Sequence, residues 1–414
     1  MKNDILNHLD DPAFLEQLYR KNKTDFKDSF SKLYPEIQGN KAAEFWQERL
    51  NYESSSISWG SKNELLYVFI GCFIAGLIAK SPDIFSISAD YFFSRNFGFI
   101  VFPILTAYFV WKNKTPRNVT SIFFGLLGLS FVYINSLPDT SESDTLILAC
   151  IHLPLILWMI LGSVFQEQSK FKISAPLEYL RFNGDAAVMM AVLALAGGVL
   201  TGITFGLFSL IGIDLEPFFE SYILLFGLPA IPILATFLTQ TNPQLVNKVS
   251  PIIAKLFSPV VLIMLTVYLI AIFYTGKDPY NDREFLLTFN IMLIGVMAII
   301  FFSVAENTGS KKISFDIWVL FLLSIVTIIV NGVALSAIIF RISEWGLTPN
   351  RLAVLGANIL ILIHLLLVTY RLYSSVSKRK QLSEVGKSIV SYIPIYFIWI
   401  LIVVFIFPVA FGFK

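Results

Sequence analysis

Charge is scarce in this chain. Asp, Glu, Lys and Arg make up 14% of its 414 residues, against about 25% in a soluble domain. So little charge cannot cover a water-exposed surface. Cysteine is scarcer still. Cys72 and Cys150 are the only two, and both fall inside apolar runs. That excludes a disulfide or metal framework and leaves them as small packing side chains. The net charge of +2 offers nucleic acid no electrostatic footprint. No phosphate-binding glycine loop with a lysine, no His-Glu-x-x-His and no Gly-x-Ser-x-Gly elbow occurs. No catalytic residue, metal site or cofactor is expected. A signal peptide is not expected either, because the first 62 residues are polar.

What the chain has instead is apolar length. Hydrophobic residues form 56% of it, gathered in runs long enough to cross a hydrocarbon core of about 30 Å. Eleven spans are read at 64–80, 97–111, 119–136, 145–165, 185–211, 217–238, 256–275, 285–305, 315–340, 350–372 and 390–411. The fold class is therefore all-α: a polytopic transmembrane helical bundle of about eleven spans, residues 63–414, behind a small cytoplasmic helical domain and linker, residues 1–62. The stretch "SPDIFSISADYFFSRN" between the first two spans is aromatic and amphipathic, so it is read along the interface.

Residues 1–62 carry nine Lys/Arg and ten Asp/Glu. Their apolar residues recur at helical spacing: Leu6, Leu9; Phe14, Leu15, Leu18; Phe26, Phe30, Leu33; Phe45, Trp46, Leu50. Asp11 reads as an N-cap with Pro12 at the first helical position. Pro35 interrupts a second helix, and "NKAAEFWQERL" opens a third. "ESSSISWGSK" is the linker.

Lys and Arg in the loops orient the bundle. With the N-terminus cytoplasmic, fifteen fall on the cytoplasmic side of the spans and seven outside, with Lys414 outside. An error of one span would scramble that bias.

Four constellations stand out. The turn "FRISEWGLTPNRLAVLG" holds Arg341, Glu344 and Arg351, either as interfacial anchors or as a turn that accepts an anion or lipid headgroup. Arg181 and Asp185, at the cytoplasmic mouth of span 5, are four residues apart and can meet on one helix face; they form a structural pair, or a gate or docking point. Gly198, Gly202 and Gly206 stack on one face of span 5 and predict a tight helix crossing. Gly227, Pro229 and Pro232 predict a kinked or broken span 6. Inside the bundle, ionisable residues are few. Asp185, Glu220, Arg283, Glu306 and Asp316 lie near span ends. His152 and His364 lie deeper and read as hydrogen-bonded packing residues, relays or ligands. Asn290, Asn331 and Asn358 suit interhelical hydrogen bonds.

Three segments together resemble a known family: "EYLRFNGDAAVMMAVLALAGGVLTGITFGLFSLIGI", "YLIAIFYTGKDPYNDREFLLTFNIMLIGVMAIIFFSVAE" and "RISEWGLTPNRL". They are similar to the bacterial multi-pass membrane family described as domain of unknown function 4153, over most of the chain from about residue 64. "WGLTPNRL" and "YLRFNGD" are the more distinctive pieces. "DDPAFLEQLYRKNKTDFKDSFSKLYPEIQGN" resembles an N-terminal extension of Bacteroidota members. The resemblance implies a polytopic inner-membrane location. It implies no activity, substrate or site residue.

Two functions remain in view. One is a permease- or channel-like protein for a small solute or lipid, resting on span count, glycine stripe and broken span. The other is a membrane scaffold or sensor that meets a cytoplasmic protein partner through residues 1–62. A lipid-modifying enzyme is a third class with no nucleophile or acid–base pair to support it. Membrane lipids are partners in every case.

Overall fold

The computed structural model describes residues 2–21, 23–51, 59–140, 143–167, 175–210, 213–275, 280, 283–307, 315–378 and 382–414. The linker is described only from Trp59, and Lys170, Lys172, Lys277, Lys311, Lys312, Arg379 and Lys380 lie outside the described residues. No strand occurs among the described residues. The chain divides into two compact units, Met1–Ser58 and Trp59–Lys414.

The first unit holds helices Lys2–Asn7, Pro12–Lys21, Lys23–Leu33 and Lys41–Asn51. Asp11 Oδ1 accepts from the backbone N–H of Ala13 and Phe14, both at 3.1 Å. That satisfies two orphan donors and starts the helix at Pro12. Pro35 sits in a 3₁₀ turn, Tyr34–Glu36, that follows the third helix. Ile5, Leu15, Phe26, Phe30, Leu33 and Trp46 build a buried core. Phe45 and Leu6, expected to face inward, are 62% and 47% exposed. Ala43, Trp46 and Leu50 hold the inner stripe at helical spacing, which turns Phe45 out; Ile5 does the same to Leu6. Glu16 joins Arg20 at 2.8 Å and Arg49 at 2.7 Å. The Arg20 hydrogen bond, helped by the Arg49 charge, holds its carboxyl below the usual range.

The second unit is a transmembrane helical bundle. Eleven helices among the described residues are long and apolar enough to cross a membrane. They are span 1, Lys62–Ala79; span 2, Ala89–Asn113; span 3, Arg117–Ser136; span 4, Asp144–Phe165; span 5, Ala175–Phe208; span 6, Glu216–Thr241; span 7, Pro251–Ile272; span 8, Leu286–Glu306; span 9, Phe315–Trp345; span 10, Pro349–Ser377; and span 11, Ser383–Ala410. Span 1 opens on a capping box: Ser61 Oγ accepts from Glu64 N–H at 3.2 Å. Span 2 starts eight residues earlier than expected, because Ala89–Asn96 joins Phe102–Asn113 through a 3₁₀ turn, Phe97–Ile100. Half of the stretch read as interfacial thus belongs to a span. Only the short helix Ser81–Phe85 and its turn stay outside.

Bonds between span ends respect an alternating path. Arg95, at the start of span 2, donates to Ile134 O at the end of span 3 (2.8 Å). Lys80, after span 1, donates to Ser221 O at the start of span 6 (2.8 Å). Thr145 N–H donates to Lys414 O (3.0 Å). The span ends therefore share two faces. The first face holds the start of span 1; the second holds its end.

Packing follows two lobes. Spans 1, 2, 4, 5 and 6 share one core, around Ala75, Phe109, Leu161, Phe182 and Phe237. Spans 7 to 11 share another, around Leu265, Ile300, Leu323, Leu365 and Ile389. Spans 2, 3 and 4 meet span 11 through Phe99, Ile134, Leu153, Leu157 and Val404.

Candidate functional site

The glycine stripe does not form the expected crossing. A Cβ at Gly198, Gly202 or Gly206 would meet nothing within 4 Å. Leu195, Val199, Leu200, Ile203 and Leu207 around them are all more than half exposed. Stacked glycines make close approach permissible, yet among the described residues no neighbour comes within 4 Å of a Cβ built there. Close approach occurs at single glycines that each take one aromatic ring. Phe226 fills the place of a side chain at Gly76, Phe302 does so at Gly184, and Trp399 at Gly356. Gly206 borders an open cleft with Phe205, Asp214, Glu216, Phe219 and Glu220.

Span 6 is not broken at Gly227, Pro229 and Pro232. Leu225–Thr241 is α-helical through both prolines. The disturbance lies one turn earlier, where Phe219–Leu224 is π-helical. Each proline lacks an N–H and presses on the carbonyl four residues before it. A π turn carries an extra residue and opens the carbonyl ladder ahead of them. Lys80 uses that opening: it donates to Ser221 O and its Nζ lies 3.9 Å from the centre of the Tyr222 ring. A second π segment, Ile402–Ile406 in span 11, has Val404 O taken by Tyr133 Oη at 2.7 Å.

Arg181 reaches across the chain. Its Nε donates to Glu306 Oε1 at 2.6 Å and its Nη2 to Oε2 at 3.4 Å, tying span 5 to span 8. Asp185 is buried close enough for its charge to oppose that of Glu306. The group on the first face is thus wider than the pair on one helix.

At the turn between spans 9 and 10, both guanidinium carbons sit over one ring. Arg341 Cζ is 5.2 Å and Arg351 Cζ 5.8 Å from the Trp345 centre. They share a partner and fall within the roughly 12 Å that forked contacts to one phosphate can bridge. Arg351 Nη1 donates to Trp345 O at 2.8 Å and Gly346 O at 2.6 Å. That caps the carbonyl end of span 9, as a cation suits a helix C-terminus. Gly346 turns the chain at φ +75°, a conformation that favours glycine. Glu344 is exposed.

Buried polar side chains away from the span ends also gather in spans 8 to 11, while His152 in span 4 bonds its own helix at Leu148 O (2.8 Å). Asn358 Nδ2 donates to Asn290 Oδ1 at 2.8 Å. Asn331 Nδ2 donates to Asn358 O and Oδ1, both at 3.3 Å. Asn331, Asn358 and His364 are all fully buried. His364 stacks on Tyr392 with ring centres 4.4 Å apart, and its Nδ1 lies 3.1 Å from Tyr396 Oη. Its Nε2 meets no protein partner among the described residues. Ser374 and Ser375 continue buried polarity toward the end of span 10. Span 10 therefore carries inward polar side chains from Asn358 to Ser375, a rise of roughly 25 Å.

Sequence reasoning missed two clusters. Glu64 accepts from Tyr108 Oη at 2.6 Å and Lys112 Nζ at 3.0 Å on the first face. Ser61-x-x-Glu64 was the available signal. Arg95, in the stretch read along the interface, is 3% exposed. It donates to Ile134 O and Leu137 O and pairs with Asp139 at 3.1 Å. Beside it Asn96 and Asn135 exchange amide bonds at 3.0 and 2.8 Å.

No protein-family model, curated protein or solved structure matches this chain.

Proposed function

We propose that this integral membrane protein is permease- or channel-like and passes a small, uncharged polar solute through the interior of spans 8 to 11. One observation carries the reading: span 10 places buried polar side chains at several depths, from Asn358 through His364 to Ser375. Buried polar groups at membrane depth are costly and mark solute pathways. Charged side chains are confined to the ends of spans 8 to 10, so an ion would cross with no counter-charge. The test is stopped-flow light scattering on liposomes holding the full chain, under gradients of glycerol and of urea. Re-swelling faster than in protein-free vesicles is expected. Equal rates with both solutes would sink the reading.

We place the protein in a bacterial inner membrane, with residues 1–62 cytoplasmic and Lys414 outside. The basic bias of the loops supports this, as does the resemblance to the inner-membrane family. Membrane lipids suit the turn at Trp345, whose ring and flanking arginines match an interfacial anchor. Cysteine labelling from outside the cell should fail at position 380, in a chain whose Cys72 and Cys150 are replaced.

A scaffold or sensor is the second reading. It rests on the first unit having its own core, with Phe45 and Leu6 left outside. Deleting residues 1–58 should leave solute flux intact if transport is the function. A cellular phenotype from that deletion with no flux in the full chain would favour the scaffold.

A further inference from the structure

The three asparagines of spans 8, 9 and 10 form a chain with one direction. Asn290 Nδ2 donates to Leu286 O at 2.7 Å, and Asn331 Nδ2 donates to Asn358 O. Both are backbone carbonyls, which only accept. An amide oxygen turned toward either would meet another oxygen. The two end amides are therefore pinned, even though oxygen and nitrogen of an amide are assigned from their bonds. Asn358 between them must present Oδ1 to Asn331 Nδ2 and Nδ2 to Asn290 Oδ1, as it does. No flip can reverse the series.

One acceptor is left over. Asn331 Oδ1 is fully buried and no protein donor among the described residues reaches it. Thr327, one turn earlier, spends its hydroxyl on Leu323 O at 2.6 Å. Val330 and Ala334 on the same span pack with Phe289 and Leu293, so the surroundings are otherwise apolar. A lone acceptor there is costly unless something donates to it. The donor must be neutral. The nearest charged residue of span 9 is Arg341, ten residues on, or roughly 15 Å of helix rise. A cation would lose its water with no counter-charge, and an anion would face an acceptor.

We propose that Asn331 Oδ1, between spans 8, 9 and 10, is the acceptor of a binding site for one neutral hydrogen-bond donor: a water molecule, or the hydroxyl or amide group of a small uncharged solute. The proposal rests on the permease reading for the use of the site but not for its existence. Its test therefore needs no transport. The full chain, labelled with ¹³C,¹⁵N-asparagine and embedded in lipid bilayers, is examined by water-edited solid-state NMR. The Asn331 Cγ signal is assigned by its loss in Asn331→Leu, or in Asn331→Ser should the leucine variant not fold. Transfer of magnetisation from water to Asn331 Cγ that survives excess urea or glycerol identifies water as the occupant. Transfer that falls by half or more, with a shifted Cγ, identifies the solute. No transfer and no solute-dependent shift would overturn the site. Flux in the liposome assay with no occupancy at Asn331 would keep the permease and remove this site; occupancy without flux would do the reverse.

Discussion

Spans 1 to 3 and spans 8 to 10 both bury polar side chains, but at different depths. In the first group the charged side chains sit at span ends, and only the hydroxyls of Thr106 and Ser130 are buried farther in. Arg95, Lys80 and the Glu64–Tyr108–Lys112 cluster all lie where carbonyls or N–H groups would otherwise lack partners. Long side chains there finish helices and staple neighbours. In the second group, Asn331, Asn358 and His364 lie away from the ends. Nothing there needs capping, since an unbroken helix satisfies its own backbone. Polarity at an end explains itself through architecture. Polarity in the middle asks for a ligand or a path.

Substitutions can break or sharpen that contrast. The largest effect is expected at Gly184, where Phe302 already occupies the place of a side chain. Gly184→Leu should cost about 3 kcal/mol, the upper end of overpacking, read as a loss of thermal stability in detergent. Arg95→Met comes next. It leaves two carbonyls of the span 3 end without their donor, and a loss of about 2 kcal/mol follows. Thermal unfolding checks it, and a neutral result would mean those carbonyls are simply hydrated. Asn358→Leu should cost only about 1 kcal/mol, because interhelical hydrogen bonds in membranes are modest. If the middle group is functional, that variant loses more flux than stability. Gly202→Leu should change stability by less than about 0.5 kcal/mol, as exposed positions do. A larger destabilisation would show that the stripe packs against something in the membrane.

Much of the architecture was legible. Hydropathy gave the eleven spans, because membrane crossing demands continuous apolar length, but spans 2, 5 and 11 begin at Ala89, Ala175 and Ser383, well before the starts read at 97, 185 and 390. The Asp11–Pro12 helix start was equally local. Partner choice was not. Arg181 makes forked bonds to Glu306, 125 positions on, a partner that no local spacing announces. The same limit hid which glycines meet neighbours. Gly202 and Gly184 look alike in sequence, but only the second has a ring delivered to it by another span. Proline signalled trouble in span 6, while tertiary contacts set where the helix yields. The asparagines of spans 8 to 10 were readable as hydrogen-bonding residues. Their direction became visible only once Leu286 O and Asn358 O were placed.

The π segment of span 6 is, in effect, a one-residue insertion absorbed by a helix. Each residue of an α-helix turns its successors by about 100°. The extra residue in Phe219–Leu224 therefore sets the rotational phase of everything between it and Thr241. Phe226, two residues past the segment, is the ring seated on Gly76 of span 1. Removing one residue from the segment would let the helix close to α geometry and swing one of its two halves out of phase. Either Phe226 would leave its notch or Ser221 would turn its carbonyl from Lys80. The segment works as a vernier between the two halves of the span, and its length cannot drift without unseating one of them.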